Sequence, residues 1–319
     1  YLQYSQFTFI MLDKFICLFL SIFVTVVYSQ DRSLYILHSN NTNGALENCY
    51  CPDHPLGSIE KRALYVQDFI KSHPRTLVVD AGDFFTMSKK LLKDSLVCEA
   101  YATIPYDALL LGDQELTRNT EFLKNVLPKT EASIVITNLE RPSLHRVRKY
   151  KIVKRGGLNI GILGIVGDNS MKYYPQAIRD SIKFADPITA INDVLGKISS
   201  RTDIIVLLTH QGLDQDLRLA QELKGVDVIV GSHSQTVPEE PIVVNNILIS
   251  QAGREGYYVG VIELKLSKYK KVDDRSISTV AMTQEMPDHS RVMELIKYYE
   301  DTSGMINRKK LKALHGTDH

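Results

Sequence analysis

The sequence has almost no net charge. Its 38 Lys and Arg face 37 Asp and Glu, leaving +1, which excludes general attraction to nucleic acid or to an acidic surface. The basic run Arg308-Lys309-Lys310-Leu311-Lys312 reads as a solvated tail. The chain has no Walker motif and no Gly-x-Ser-x-Gly elbow, so a P-loop nucleotide site and a serine-hydrolase nucleophile are both excluded. Gly161, Gly164 and Gly167 fall along an apolar strand rather than before a helix, so they make no dinucleotide fingerprint. Internal repeats, low-complexity stretches and linkers are lacking within 31–300, which reads as one domain followed by a tail over 301–319. Only one apolar run is long, the thirteen residues from Phe15 to Val27, and it is too short to span a bilayer comfortably. With Met-Leu-Asp-Lys before it and Tyr28-Ser29-Gln30 after it, the run predicts a cleaved export signal over 1–29. Residues 1–10 precede an initiator-like Met11 and read as a non-native leader. The protein is therefore expected to be secreted or periplasmic, with no stable membrane anchor.

Cysteine is scarce: past the signal, Cys49, Cys51 and Cys98 remain. In an oxidising compartment an odd count leaves one thiol free, bridged between chains or bound to metal. Cys49 and Cys51, one residue apart, are poorly placed to pair with each other. Two readings stay open: a disulfide from either one to Cys98, or a thiolate metal site of Cys49, Cys51 and His54.

Short runs rich in Val, Ile and Leu each end in a polar loop: LYILHSNNTNG, TLVVDAGDFF, DALLLGDQE, ASIVITNLE, LNIGILGIVGD, DIIVLLTHQG and VDVIVGSHS. These read as buried strands. Between them Ser58 is placed to cap a helix ended by Pro74, Asp186-Pro187 starts another, and Leu213 to Leu223 forms a third ended by Gly225. This alternation predicts an α/β fold with a largely parallel sheet covered by helices. From Pro241 the pattern changes to closely spaced strands, PIVVNNILIS and GYYVGVIELKLS, as for antiparallel pairing at an edge or in a second sheet. A last helix carries Val292, Leu295, Ile296 and Tyr299 on one face.

Chemistry in such a fold collects beyond the carboxyl ends of the strands. Four of those loops carry Asp83, Asp113, His210 and His233, a donor set suited to one divalent cation such as zinc, manganese or iron. Glu115 reads as a brace for its loop, and Tyr173, Tyr174, Tyr257 and Tyr258 as core or edge packing, with one of them available to line the cleft.

The motifs ILHSNNTNG, VVDAGDFF, YDALLLGDQE, LLTHQG, GVDVIVGSHSQT and SQAGREGYYVG, from about Leu34 to Tyr299, resemble the calcineurin-type metallophosphoesterases. The resemblance is to the catalytic domain of the 5'-nucleotidase and UDP-sugar hydrolase group. It implies a layered sandwich of β-sheets flanked by helices, and two metals about 3.5–4 Å apart that hold a phosphoryl group and activate water. Asp83 takes the place of the bridging aspartate, and Asp113, where asparagine is usual, joins His210 and His233 as ligands of the second metal. The first metal's positions depart from the pattern. Asn41 and Asn43 stand where the group has Asp-x-His, and Gln235 replaces its final histidine. Neutral amides bind transition metals poorly, so that position is expected to be empty or weak. Gln114 replaces the catalytic histidine, a loss that typically costs ~10²–10⁴ in rate. The segment NCYCPDHPLG, just past Asn43, is expected to lie near the vacated position. The group's second, nucleoside-recognising domain is expected to be absent, so nucleotide specificity is not carried over. The sequence thus supports an impaired one-metal phosphoesterase acting on a small phosphorylated molecule. A non-catalytic protein binding metal, a small anion or a partner, and a soft-metal or redox Cys-x-Cys site, remain as alternatives.

Overall fold

The computed structural model describes residues 33–51, 55–140 and 147–304. The signal segment, His54 and the tail beyond 304 lie outside them. Among the described residues thirteen strands run β1 Ser33–Ser39, β2 Thr76–Asp80, β3 Ala108–Leu109, β4 Ser133–Val135, β5 Val147–Arg148, β6 Tyr150–Arg155 and β7 Leu158–Val166, then β8 Ile204–His210, β9 Val228–Val230, β10 Ile242–Val244, β11 Ile247–Ser250, β12 Tyr258–Leu266 and β13 Val272–Ala281. All seven expected apolar runs contribute a strand.

The strands form two mixed sheets, ordered β13-β12-β1-β2-β3-β4-β5 and β10-β11-β9-β8-β7-β6. Neighbours from β1 to β5 run parallel in the first, and β7, β8, β9 and β11 in the second. The layered sandwich implied by the resemblance is present, and the apolar runs read as one largely parallel sheet with helices on both faces are divided between two sheets that share a core. A strand apolar on both faces reads the same whether a helix or a second sheet covers it. Period-two alternation along β7 shows the layers. Ile160, Ile162 and Val166 join the core shared with the first sheet. Leu163 and Ile165 point the other way, onto the helices Pro187–Ile198 and Leu213–Glu222.

The two segments after Pro241 go to different sheets. PIVVNNILIS makes the β10–β11 hairpin, turning at Asn245 and Asn246, both with positive φ, as a two-residue hairpin turn requires. The second segment supplies β12, paired antiparallel with β13. Asp186 caps its helix as expected, accepting from the Thr189 N–H at 2.8 Å. Ser58 precedes the helix Ile59–Ser72 but makes no cap hydrogen bond; its hydroxyl donates to Ala45 O instead. The helix Ser290–Ser303 buries Val292, Leu295, Ile296 and Tyr299. Among the described residues no helix is long and apolar enough to cross a membrane.

Candidate metal centre

Two sheets meet at the site, and each supplies two side chains. Asp83 lies three residues past β2 and Asp113 opens the short helix Asp113–Leu116 beyond β3. His210 is the last residue of β8, and His233 follows β9 by three residues. Asp83 and His233 both turn through the left-handed region, with φ of 59° and 75°. Two glycines let the aspartate loops touch. A Cβ on Gly82 would lie 2.6 Å from Gly112 N. One on Gly112 would overlap Asp83 Oδ1 and lie 2.6 Å from His210 Cε1. Glu115 fixes the same crossing: its Oε2 accepts from the Asp83 and Gly112 N–H groups at 2.9 and 2.8 Å, and its Oε1 from Phe85 N–H at 2.7 Å. Burial, with the Asp83 charge nearby, pushes the Glu115 carboxyl up to about 8.

One donor atom from each of Asp83, Asp113, His210 and His233 lies within 4.8 Å of the others. His210 Nε2 is 2.9 Å from Asp113 Oδ1 and 3.4 Å from Asp83 Oδ2, and His233 Nδ1 is 3.3 Å from Asp113 Oδ1. Two ligands ~2.1 Å from a tetrahedral ion stand roughly 3.4 Å apart, so the donors are spaced to share one cation. Their chemistry, two carboxylates and two imidazoles, suits zinc, manganese or iron. The other face of His210 is held: Nδ1 lies 3.1 Å from Ala81 O, and Ser232 Oγ donates to the same carbonyl at 2.7 Å. An Nδ1–H···O=C bond leaves Nε2 as the ligating atom. Burial acts to lower the His210 pKa, but Asp83 and Asp113 outweigh it and hold the ring well above its ordinary value. Asp113 is likewise pushed up by burial and pulled further down by hydrogen bonds from His210, His233 and Tyr174.

The amides of the departed half bond to one another and to Asp83. Asn41 Nδ2 and Gln114 Nε2 donate to Asp83 Oδ2 at 3.3 and 3.2 Å, and Gln114 Nε2 also reaches Asn43 Oδ1 at 2.8 Å. Asn41 Oδ1 accepts from His233 N–H at 2.9 Å. Gln114 Oε1 is buried without a partner among the described residues. Gln235, half-buried, takes no part in these bonds.

Tyr174, read from sequence as packing, donates its hydroxyl to Asp113 Oδ2 at 2.8 Å. Its neighbour Tyr173 is exposed. Ser232 was not picked out from sequence at all, although it directly precedes His233. The Cys98 disulfide is corrected: none of the three described cysteines is bridged. Cys98 is fully buried in the helix Leu91–Tyr101 as part of the core, while Cys49 and Cys51 sit on a half-buried loop. Among the described residues no cluster of three or more metal-type ligands includes Cys49 or Cys51. The cysteine loop adjoins the Glu255–Tyr257 turn, whose Glu255 N–H donates to Asn41 O at 2.7 Å.

The architecture and the strand-end cluster define a metallophosphoesterase-like fold. No family model matches the chain. Its relatives are metallophosphoesterases and 5'-nucleotidases. A metallophosphoesterase of Bacillus subtilis, YunD, is 25% identical over 295 residues, covering 88% of this chain and 59% of its own. Human 5'-nucleotidase is 24% identical over 290 residues, covering 80% and 50%. The structure of a 5'-nucleotidase precursor from Thermus thermophilus superposes with a TM-score of 0.76 at 24% identity, covering 85% of this chain and 59% of that one. The chain thus spans about half the length of the curated relatives it matches.

Proposed function

We propose that this protein is an exported phosphoesterase-type protein holding a single divalent cation and hydrolysing small phosphate esters slowly. The observation that carries the reading is the contrast between the two halves of the site. Four donors converge, Asp83 among them. The Asn41 and Gln114 amides donate to Asp83 Oδ2, the same oxygen that faces His210 Nε2, and together with Asn43 and Gln235 they offer a second cation neither carboxylate nor imidazole. Neutral amide oxygens are weak partners for a transition metal, so the residues fit one ion and not two.

Asp83, Asp113, His210 and His233 would hold the cation, which supplies positive charge to a phosphoryl oxygen and acidifies a nearby water. Tyr174, donating to Asp113 Oδ2, and Ser232, whose hydroxyl meets His210 Nδ1 at 2.5 Å, orient two of the four side chains. Gln114, in the position of the group's histidine, offers an amide N–H but cannot give up a proton, so a leaving alkoxide must be protonated by solvent. Nucleotide-like substrates enter only through the relatives, and export rests on residues 11–30 alone. The amide network also favours a second reading, in which the same cation centre binds an anion without turning it over.

Elemental analysis and an aryl-phosphate assay separate these readings. About one manganese, zinc or iron per chain is expected, with turnover below the ordinary range of ~1–10³ s⁻¹. The combined substitution Asn41→Asp, Asn43→His, Gln114→His and Gln235→His should bring two metals per chain and raise turnover. The single changes should do little, because such groups act as a unit. Two metals per unmodified chain would overturn the one-cation reading. One metal with no turnover would leave the binding-only reading standing.

A further inference from the structure

The loop after Asn43 places two thiols side by side, and neither belongs to the metal centre. Asn48 starts the turn, its Oδ1 accepting from the Tyr50 N–H at 2.7 Å. Tyr50 then takes the left-handed conformation, with φ of 48°. That reversal brings Cys51 back over Cys49: the Cys51 N–H donates to Cys49 Sγ at 3.2 Å, and Cys51 Sγ lies 3.9 Å from Cys49 O. The base of the loop is fixed by Cys49 N–H donating to Leu56 O at 2.9 Å and Asn48 N–H donating to Glu60 Oε1 at 2.6 Å.

Donors converge on the first sulfur. Besides the Cys51 N–H, the Cys51 thiol and the Leu56 backbone lie against Cys49; the nearby Tyr257 hydroxyl gives its proton to Glu255 Oε2 at 2.7 Å. Burial acts to raise its pKa, but these donors outweigh burial and hold the thiol below its ordinary value. A thiolate stabilised in this way and partly open to solvent is a nucleophile. Cys98, buried in the core, is the reverse case, its thiol pushed well up by burial. A disulfide closed across a single intervening residue is strained, and strained disulfides are the readily reduced ones.

We propose that Cys49 and Cys51 form a thiol–disulfide exchange site whose substrates are the disulfides of small thiols. The Cys49 thiolate attacks one sulfur of the substrate disulfide, the S–S bond breaks, and the first small thiolate leaves. The Cys51 thiolate then attacks Cys49 Sγ in the mixed disulfide and expels the second. The two cysteine sulfurs are oxidised to a disulfide, and the substrate disulfide is reduced to two thiols that take up the two protons the cysteines lose. The reverse sequence with excess small thiol restores the dithiol.

The test uses the full chain, reduced and then incubated with oxidised glutathione near neutral pH, with peptide mapping by mass spectrometry. A Cys49–Cys51 disulfide is expected, with Cys98 still a thiol; its protection also reports that the fold is intact. Cys51→Ser should stop at one glutathione on Cys49, formed about tenfold faster than on a synthetic peptide of the same loop, as a stabilised thiolate requires. Several outcomes would overturn the proposal. They are Cys49, Cys51 and Cys98 all remaining thiols, a disulfide that includes Cys98, or Cys49 reacting no faster than the peptide. Zinc or copper bound at one per chain and blocking the pair would do the same, since the loop would then be a metal site.

Discussion

His38 belongs to no candidate site, yet it is almost completely enclosed. It lies in β1, where Gly260 leaves no room for a Cβ against its ring. Nε2 meets Ser250 Oγ at 3.1 Å, while Nδ1 has no hydrogen-bond partner among the described residues. Burial pushes its pKa down to about 4 from 6.5. The folded state therefore resists protonation that the unfolded chain accepts. The stability is fully present above pH 6.5 and is lost as pH falls from 6.5 toward 4. A shift of 6.5 − 4 = 2.5 units corresponds to about 3 kcal/mol across that window. His38→Leu should cost ~1 kcal/mol at neutral pH for the lost hydrogen bond and should flatten the acid limb. Urea unfolding at stepped pH checks this; parallel losses in both proteins between pH 6.5 and 4 would show that His38 is not buried neutral.

At the scale of elements, one buried ion pair holds the loop that carries Asp83. Arg118 Nε donates to Asp94 Oδ2 at 2.8 Å, with both side chains almost fully buried. Asp94 Oδ1 also accepts from Thr86 N–H and Thr86 Oγ1, both at 2.7 Å, and Arg118 Nη2 donates to Thr86 O. The helix Leu91–Tyr101, the loop after β2 and the turn after Leu116 are joined through these two residues. Asp94→Ala strands the guanidinium and should cost ~3–5 kcal/mol, whereas replacing both partners with Leu and Met should recover much of it. Denaturant melts of the single and double variants give the comparison, and a single variant no worse than the double would sink this account. The same helix explains where sequence patterning stops. The helix Ser290–Ser303 was legible because its apolar residues form a stripe. In Leu91–Tyr101, Asp94, Leu96, Val97, Cys98, Ala100 and Tyr101 are all buried, so no polar face marks the period. β13 was missed for the opposite reason, since Val272–Ala281 is largely polar and half-exposed. The four strand-end donors could be picked out because each follows an apolar run. The hydrogen bonds of Tyr174 and of the amides could not, because they join loops that meet only when two sheets face each other.

For the whole molecule, that meeting of sheets is the property with consequences. Asp83 and Asp113 hang from the first sheet, and His210 and His233 from the second. A cation shared by all four would clip the two sheets together, and it would bind the folded chain while the unfolded chain offers no assembled site. At a free metal concentration 100 times its dissociation constant, such binding stabilises by about 2.7 kcal/mol. For a chain of this size that amounts to a rise in Tm of roughly 4 °C. The rise should shrink in acid, because His210, which its carboxylate neighbours hold protonated, must release a proton to ligate. His233 provides the control. Its side chain is 27% exposed, so His233→Ala should leave the metal-free Tm nearly unchanged while abolishing most of the rise. Calorimetry of chelator-treated protein with manganese, zinc and magnesium separates the outcomes. Manganese or zinc should raise Tm, and magnesium, which prefers oxygen ligands and keeps its waters, should do much less. If none of the three moves the transition by more than about 1 °C at millimolar concentration, the dissociation constant is too weak for the four side chains to act as a metal site.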